Sequence, residues 1–215
     1  FMLCNILVFV VYKVYLSLDT EYYLIRLAAG YAGEAFSWWE ELPLQLCNIN
    51  MILIPLSLWT GSRKLRAFCT YIGPLGALMA LCMPTMGFAG YSLLLPRMWG
   101  YYVTHFSVLI GGIAMITLDL YRPELREIPK AILTVAAVNF GIFLINAVLR
   151  TSGLSPYANY FFNMDPEQNP VLELFWSWIP YPFLYQLPGY LILASYMVLL
   201  TLLVNRIRTC PESDS

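Results

Sequence analysis

The stretch from Ala131 to Leu149, AILTVAAVNFGIFLINAVL, decides the fold class of this chain. It contains no charged residue. A helix needs about 20 mostly apolar residues to cross the hydrocarbon core of a bilayer, and this stretch is almost that long. Helices on the surface of soluble proteins carry a polar face instead, so the stretch predicts a transmembrane helix.

Five other apolar stretches of similar length lie on either side of it. They run from Phe1 to Leu18, Pro43 to Trp59, Leu65 to Cys82, Gly100 to Leu120 and Tyr181 to Val204. Of the 215 residues, 60% are apolar and 12% are charged, about half the charged share of a soluble domain. We therefore expect an all-α, polytopic transmembrane bundle of about six helices.

The whole chain, residues 1–215, is expected to form a single transmembrane domain. Residues 19–41 carry several charges and the pair Trp38 and Trp39, which is typical of an interfacial segment between two spans. Residues 205–215 are predicted to be a cytoplasmic tail. Since the chain opens on Phe1 rather than Met, a missing upstream segment, such as another helix, is left open.

Basic residues predict the orientation, because loops rich in Lys and Arg stay on the cytoplasmic side. One alternating set of loops contains eight of them: Arg63, Lys64, Arg66, Arg122, Arg126, Lys130, Arg206 and Arg208. The other set contains three: Arg26, Arg97 and Arg150. The predicted topology therefore places both the N-terminus and the C-terminus in the cytoplasm.

Polar side chains inside a membrane are costly, and here they gather in one leaflet. At a rise of about 1.5 Å per residue, His105 lies about 7 Å below the outer end of its helix, at a depth similar to that of Cys47. The same layer contains six amides: Gln45, Asn48, Asn50, Asn139, Asn146 and Gln186. This layering predicts a polar cavity within the bundle, open toward the outer leaflet or the outer face.

Nucleophilic chemistry is available to the predicted pair of Cys47 and His105. A thiol beside an imidazole can form a thiolate nucleophile, with the histidine then acting as general acid. In such a site Asn146 or Gln186 would orient the imidazole, and Asn48 would donate to an oxyanion.

The same residues are also compatible with purely structural roles. Buried cysteine usually behaves as a small hydrophobe, and a lone membrane histidine often bonds a neighbouring helix. The polar residues of the second span also cover more than half of its circumference, so not all of them can face one cavity. A non-enzymatic transporter or ligand-binding protein with a polar intramembrane cavity, or a membrane scaffold, is therefore the alternative to an enzyme.

Lys13 is the only charged residue of the first span. It either snorkels toward Asp19 and Glu21 or holds a lipid phosphate. The small residues of the third span, among them Gly73 and Gly76, predict close helix contacts.

The residues argue against several other classes of site. A net charge of −1 gives no electrostatic case for nucleic acid. With one histidine and scattered cysteines, no metal site is expected. We expect no cofactor, and membrane lipids as the partners.

An ordered set of motifs resembles the YwaF family of bacterial membrane proteins. The stretch Leu42 to Ile49, LPLQLCNI, resembles the LPLxLC signature of that family. Further likenesses over about residues 40 to 205 are Gly73 to Ala77, Tyr102 to Phe106, Arg122-Pro123, Asn139, Asn146, Asn159-Tyr160 and Pro180 to Pro182. Gln45 departs from the pattern, since many bacterial members are expected to carry histidine there, and an assisting role of such a histidine is weakened or absent at that position.

The resemblance also implies an activity. The family looks related to transmembrane protein 164, a eukaryotic acyltransferase that places polyunsaturated acyl chains on ether phospholipids. Its proposed catalytic cysteine and histidine correspond to Cys47 and His105. A more distant likeness is to the androgen-induced membrane hydrolases, which use a threonine and a histidine. The resemblance implies a lipid acyltransferase or transacylase with a phospholipid or lysophospholipid substrate, located in the plasma membrane if the source is bacterial.

Overall fold

The computed structural model describes residues 2–18, 36–83 and 96–209. Within these ranges the chain forms seven α-helices and no β-strand, as the composition predicts. The helices are α1 (Met2–Leu18), α2 (Leu46–Thr60), α3 (Arg63–Cys82), α4 (Pro96–Thr117), α5 (Ile128–Thr151), α6 (Pro170–Trp178) and α7 (Leu187–Thr209). Short 3₁₀ turns lie at Leu125–Glu127, Tyr160–Phe162 and Leu184–Gln186.

Six of these helices correspond to the six predicted spans. The helices α3, α4, α5 and α7 are long and apolar enough to cross a bilayer, whereas α1 and α2 are shorter apolar helices. The additional helix, α6, lies in the connection before the last span. It begins after Asn169, whose side chain accepts hydrogen bonds from the amides of Val171 and Leu172. The chain is therefore a polytopic, all-helical integral membrane protein.

Several predicted boundaries shift for local reasons. The second span begins at Leu46 instead of Pro43, because the backbone of Gln45 is extended, with ψ at 147°. The last span begins at Leu187 instead of Tyr181, because Phe183 has a positive φ of 63° and a 3₁₀ turn follows it.

Only parts of the predicted interfacial segment and tail lie in the described residues. In the interfacial segment, residues 36–41 form turns outside any helix, and residues 19–35 lie outside the described ranges. The helix α7 continues to Thr209, through the start of the predicted tail, and residues 210–215 are not described.

Consecutive long helices run in opposite directions, so basic residues that are distant in sequence meet at one end of the bundle. Arg63, at the start of α3, pairs with Glu124 and Glu127 in the segment before α5. Arg208, near the end of α7, pairs with Asp119 after α4. We call this the basic end. The opposite end, where α2, α4 and α7 begin, is called the distal end.

The helices α2, α3 and α4 approach one another closely through glycine. A methyl group on Gly73 would lie 3.4 Å from Cγ1 of Val108 in α4 and 3.5 Å from Oδ1 of Asn50 in α2. On Gly112 it would lie 2.5 Å from the ring of Pro74. The expected close contact at the small residues of α3 is thus observed, and it fixes the three helices that carry the candidate site.

The bundle is apolar outside and partly polar inside. Large side chains such as Leu133 of α5 and Leu191 of α7 point outward and are exposed. Lipid tails solvate such side chains without cost, whereas water does not. Asn50 and Asn146, in contrast, are fully buried inside the bundle. Polar groups at membrane depth face the interior, away from the lipid.

Candidate functional site

A cavity of about 540 Å³ lies at the distal end of the bundle. Its walls come from α1, α2, α3 and α4, from the segment before α2 and from the connection around α6. Five of the eight residues predicted for the polar site line it: Cys47, His105, Gln45, Asn48 and Gln186. The other three, Asn50, Asn139 and Asn146, are buried and are not part of its lining. Volumes of this size are typical of small-molecule sites.

Cys47 is the second residue of α2 and a free thiol with 8% of its surface exposed. Of the four cysteines in the described ranges, it alone lines the cavity. The helix α3 passes beside it at Gly76, where a methyl group would lie 3.9 Å from Sγ of Cys47. Because Gly76 has no side chain, the cavity extends to the thiol.

His105 is held by its own helix. Its Nδ1 atom lies 2.6 Å from the carbonyl oxygen of Tyr101, one turn earlier in α4. A carbonyl oxygen can only accept, so Nδ1 carries the proton and donates it. In the neutral imidazole this leaves the lone pair on Nε2, which makes Nε2 the atom that can take a proton from a nucleophile.

Tyr101 supports the imidazole in a second way. The two rings pack with their centroids 4.2 Å apart. The hydroxyl of Tyr101 donates a 2.5 Å hydrogen bond to the carbonyl oxygen of Ala80 in α3. The orientation of His105 is thereby linked to the helix that passes Cys47.

Gln45 and Gln186 shape the cavity wall by holding Phe161. The side-chain oxygen of Gln45 accepts from the amide of Phe161 at 3.1 Å, and the side-chain nitrogen of Gln186 donates to its carbonyl at 2.6 Å. The φ angles of Phe161 and Phe162 are 60° and 54°, which residues with a side chain rarely adopt. The two amides therefore stabilise a strained turn at the cavity, a feature that recurs at functional sites.

Asn139 and Asn146 form a buried network behind this wall. Asn146 donates to the carbonyl of Tyr160 at 2.9 Å and accepts from its amide at 3.0 Å. Asn146 also donates to Asn163, which in turn donates to Asn139 at 2.8 Å. Asn139 donates to the side chain of Gln186 at 2.7 Å. The network anchors the connection after α5 to α5 itself.

The structure gives two predicted residues contacts other than those expected. Asn146 is engaged with Tyr160, and the Nδ1 side of the His105 ring is oriented by the carbonyl of Tyr101 instead. Asn50 lies nearly one turn deeper in α2 than Cys47 and turns toward α3. There it donates to the carbonyl of Leu46 at 2.9 Å, within its own helix.

The connection from Ser155 to Asn169 contributes more to the cavity than its sequence suggested. Asn159 donates to Asp165 and Glu167, and its side-chain oxygen accepts from the amide of Met164 at 2.8 Å. The hydroxyl of Tyr160 donates to the carbonyl of Trp39 at 2.7 Å. A signal was available, since a polar connection beside apolar helices must satisfy its own backbone groups.

Lys13 faces the cavity, and its predicted partners Asp19 and Glu21 lie outside the described residues. It forms an ion pair with Glu41 of the segment before α2, and the two side chains are 14% and 13% exposed. Its ammonium also lies over the rings of Phe9 and Tyr12, at 5.3 Å and 5.6 Å from their centroids. The pair joins α1 to the cavity wall and adds a largely buried charge to the site.

Glu167 adds a carboxylate from the connection outside the membrane-spanning helices. Desolvation at the cavity wall raises the pKa of Glu167 from 4.5 to about 6, against the opposing effect of the hydrogen bond from Asn159. Within the described ranges, no three His, Cys, Asp or Glu side chains are grouped as metal ligands. The groups available for chemistry around the cavity are a thiol, an imidazole, several amides and a few charged side chains.

Comparison with known proteins agrees with this architecture. The sequence profile of the TMEM164 family matches residues 1–204. This confirms the expected relation to transmembrane protein 164, whereas the match does not carry the YwaF name. No curated protein and no solved structure matches the chain. Because the profile covers almost the entire sequence, the chain belongs to the TMEM164 family.

Proposed function

We propose that the protein is an integral membrane lipid acyltransferase or transacylase in which Cys47 is the nucleophile and His105 the general base. One observation carries the proposal: both residues line the same cavity, and the bond from Nδ1 of His105 to Tyr101 leaves Nε2 able to accept a proton. The likeness of Cys47 and His105 to the proposed catalytic residues of transmembrane protein 164 supports the same assignment.

In the first proposed half-reaction the acyl group moves from a phospholipid to the protein. Nε2 of His105 takes the proton of the Cys47 thiol, and the sulfur attacks the carbonyl carbon of the acyl ester. The carbon–oxygen ester bond then breaks, and the leaving alkoxide of the lysophospholipid takes the proton from His105. Cys47 is left as an acyl thioester.

The second half-reaction reverses these steps with a different lipid. The hydroxyl of an acceptor lysophospholipid gives its proton to Nε2 of His105 and attacks the thioester carbonyl. The carbon–sulfur bond breaks, and the thiolate of Cys47 regains the proton from the imidazole. Water in place of the acceptor hydroxyl would make the protein a hydrolase.

The amides of the cavity take supporting roles in this proposal. Asn48, the neighbour of Cys47, donates to the oxyanion that develops on the ester carbonyl. Gln45 and Gln186 keep the Phe161 turn in place and so maintain the shape of the cavity. Asn50, Asn139 and Asn146 act indirectly, by supporting the helices and the connection around it.

The proposal includes a location. Eight basic residues against three favour cytoplasmic N- and C-termini, and this orientation sets the cavity in the outer half of the membrane. For a bacterial source the membrane is the plasma membrane. The proposed partners are phospholipids and lysophospholipids of that membrane.

The test is acyl transfer in liposomes that contain the purified protein, a phospholipid with an isotope-labelled acyl chain and an unlabelled lysophospholipid. Mass spectrometry of the lipids should show label on the acceptor with wild type and none with Cys47→Ala. His105→Gln should lower the rate by about 100-fold or more, and Cys4→Ala, away from the cavity, should not change it. Acyl transfer that persists in Cys47→Ala would contradict the proposal. Protein-dependent lipid movement without any transfer would favour the transporter or binding protein instead.

A further inference from the structure

The floor of the cavity beside the thiol is formed by α3. Gly76, Met79 and Ala80 line the cavity, and their spacing places them on one face of the helix. Met83, the residue that follows α3, lines the cavity as well. Gly76 is the residue of this face that meets α2. A methyl group on it would lie 3.1 Å from Cδ2 of Leu46 and 3.9 Å from Sγ of Cys47.

These distances make Gly76 sensitive to any side chain. At 3.9 Å, a single methyl group would already be in van der Waals contact with the sulfur. A larger side chain, such as valine, would add further carbon atoms to a space that a methyl group already fills. The absence of a side chain at position 76 therefore decides how much room an incoming group has at Cys47.

We propose that Gly76 is a specificity-determining residue that admits the acyl group to Cys47 and limits its bulk. The inference rests on the proposed function, since it assigns the space beside Gly76 to the acyl carbonyl and the first carbons of the chain. Met79 of α3 and Met83 just after it extend the apolar wall of the cavity, and flexible thioether side chains adapt to chains of different shape. Acyl groups that are unbranched next to the carbonyl pass this opening, whereas bulk next to the sulfur closes it.

The test compares the rates at which two thiosulfonates modify Cys47 in the full-length protein. The thiol sulfur displaces methanesulfinate from either reagent and forms a mixed disulfide with its alkylthio group. Methyl methanethiosulfonate adds one carbon, and dodecyl methanethiosulfonate adds a lipid-like chain. Peptide mass spectrometry follows Cys47 separately from the other cysteines. No acyl transfer is needed, so this test can succeed even if the proposed function fails.

The expected result is a change in the ratio of the two rates. In Gly76→Ala the dodecyl rate should fall about tenfold relative to the methyl rate, which is the discrimination that one extra carbon commonly gives in a pocket. Gly76→Val should widen the gap. The matched control is Gly73→Ala, one turn earlier in α3, whose methyl group would meet Val108 and Asn50 outside the cavity. Its ratio should equal that of wild type.

Three outcomes would overturn the inference: an unchanged ratio in both Gly76 variants, the same change in Gly73→Ala, or a wild-type Cys47 that reacts with neither reagent. Should Gly76→Ala fold poorly because of the contact with Leu46, Gly76→Ala combined with Leu46→Ala removes that contact. This double variant, compared with Leu46→Ala alone, must then show the same relative loss with the dodecyl reagent.

Discussion

His105 donates from Nδ1 to the carbonyl oxygen of Tyr101 across 2.6 Å, within a single turn of α4. In many thiol enzymes a separate side chain orients the imidazole. Here the backbone of the same helix does so, and the hydroxyl of Tyr101 ties that helix to α3 through Ala80. The packing of α4 against α3 therefore controls where Nε2 points, and the stability of that packing can be tested directly.

The first prediction concerns the contact between α3 and α4. In Gly112→Ala the new methyl group would lie 2.5 Å from the rigid ring of Pro74 and 3.2 Å from the carbonyl oxygen of Cys69. Since neither group can rotate away, the variant should lose about 1–3 kcal/mol of stability. Thermal unfolding in detergent measures the loss. Gly141→Ala in α5 is the control, because nothing lies within 4 Å of its added methyl group. Equal melting temperatures for the two variants would show that the predicted clash is absent.

A second prediction addresses the network behind the cavity wall. In Asn146→Ala the amide and carbonyl of Tyr160 lose their partner in a buried environment. The expected cost is about 1–3 kcal/mol, together with faster hydrogen exchange at Tyr160. Val148→Ala, on the exposed face of the same helix, should be nearly neutral. If Asn146→Ala unfolds at the same temperature as Val148→Ala, the network does not anchor the connection.

The third prediction separates a buried ion pair from an exposed one. Lys13→Gln removes the ammonium that pairs with the carboxylate of Glu41, in a place where both side chains are about one-seventh exposed. A loss of about 3 kcal/mol is expected, and combining it with Glu41→Gln should recover part of it. Arg126→Gln breaks the exposed pair with Glu124 and should cost less than about 1 kcal/mol. Similar costs for Lys13→Gln and Arg126→Gln would contradict the assigned importance of the cavity pair.

The fourth prediction follows from the raised pKa of Glu167. A carboxyl group whose pKa is higher in the folded than in the unfolded state binds its proton more tightly when folded. Its contribution to stability is therefore complete below pH 4.5 and is lost as the pH rises through about 6. The effect should stay below about 1 kcal/mol, because the residue is partly exposed and solvent screens it.

Melting temperatures between pH 4.5 and 7 test this prediction, with Glu167→Gln as the comparison. The wild type should lose more stability than Glu167→Gln over this interval, by a few degrees at most for a chain of this size. Parallel curves for the two proteins would mean that Glu167 has no raised pKa.

Hydropathy and charge predicted much of the fold, and the reason is physical. A stretch such as Ala131 to Leu149 can satisfy its backbone groups in lipid only as a helix. The basic residues then predict which helix ends lie together, and the pairs Arg63–Glu127 and Arg208–Asp119 form at one end. The depths estimated along the helices also placed Cys47 and His105 at one level in the membrane, and both residues line one cavity in the structure.

Sequence patterns did not predict the contacts that depend on irregular backbone. Asn146 has the depth of a cavity residue, but its partners are the backbone groups of Tyr160, whose connection has no periodic pattern to predict its path. Lys13 and Glu41 are 28 residues apart, and neither span pattern nor spacing links them. The sequence does not predict the positive φ of Phe161 either, because phenylalanine is not a residue that favours this conformation.

The most direct test of the central claim is to trap an acyl group on Cys47. The purified protein is incubated with a phospholipid donor and no acceptor, and each cysteine-containing peptide is then examined by mass spectrometry before and after treatment with neutral hydroxylamine. In wild type we expect a hydroxylamine-sensitive acyl group on Cys47. This group should be lost in His105→Gln, with Cys69 unmodified in both proteins. An unmodified Cys47, or equal acylation of Cys47 and Cys69, would contradict the claim that this thiol is the nucleophile of the site.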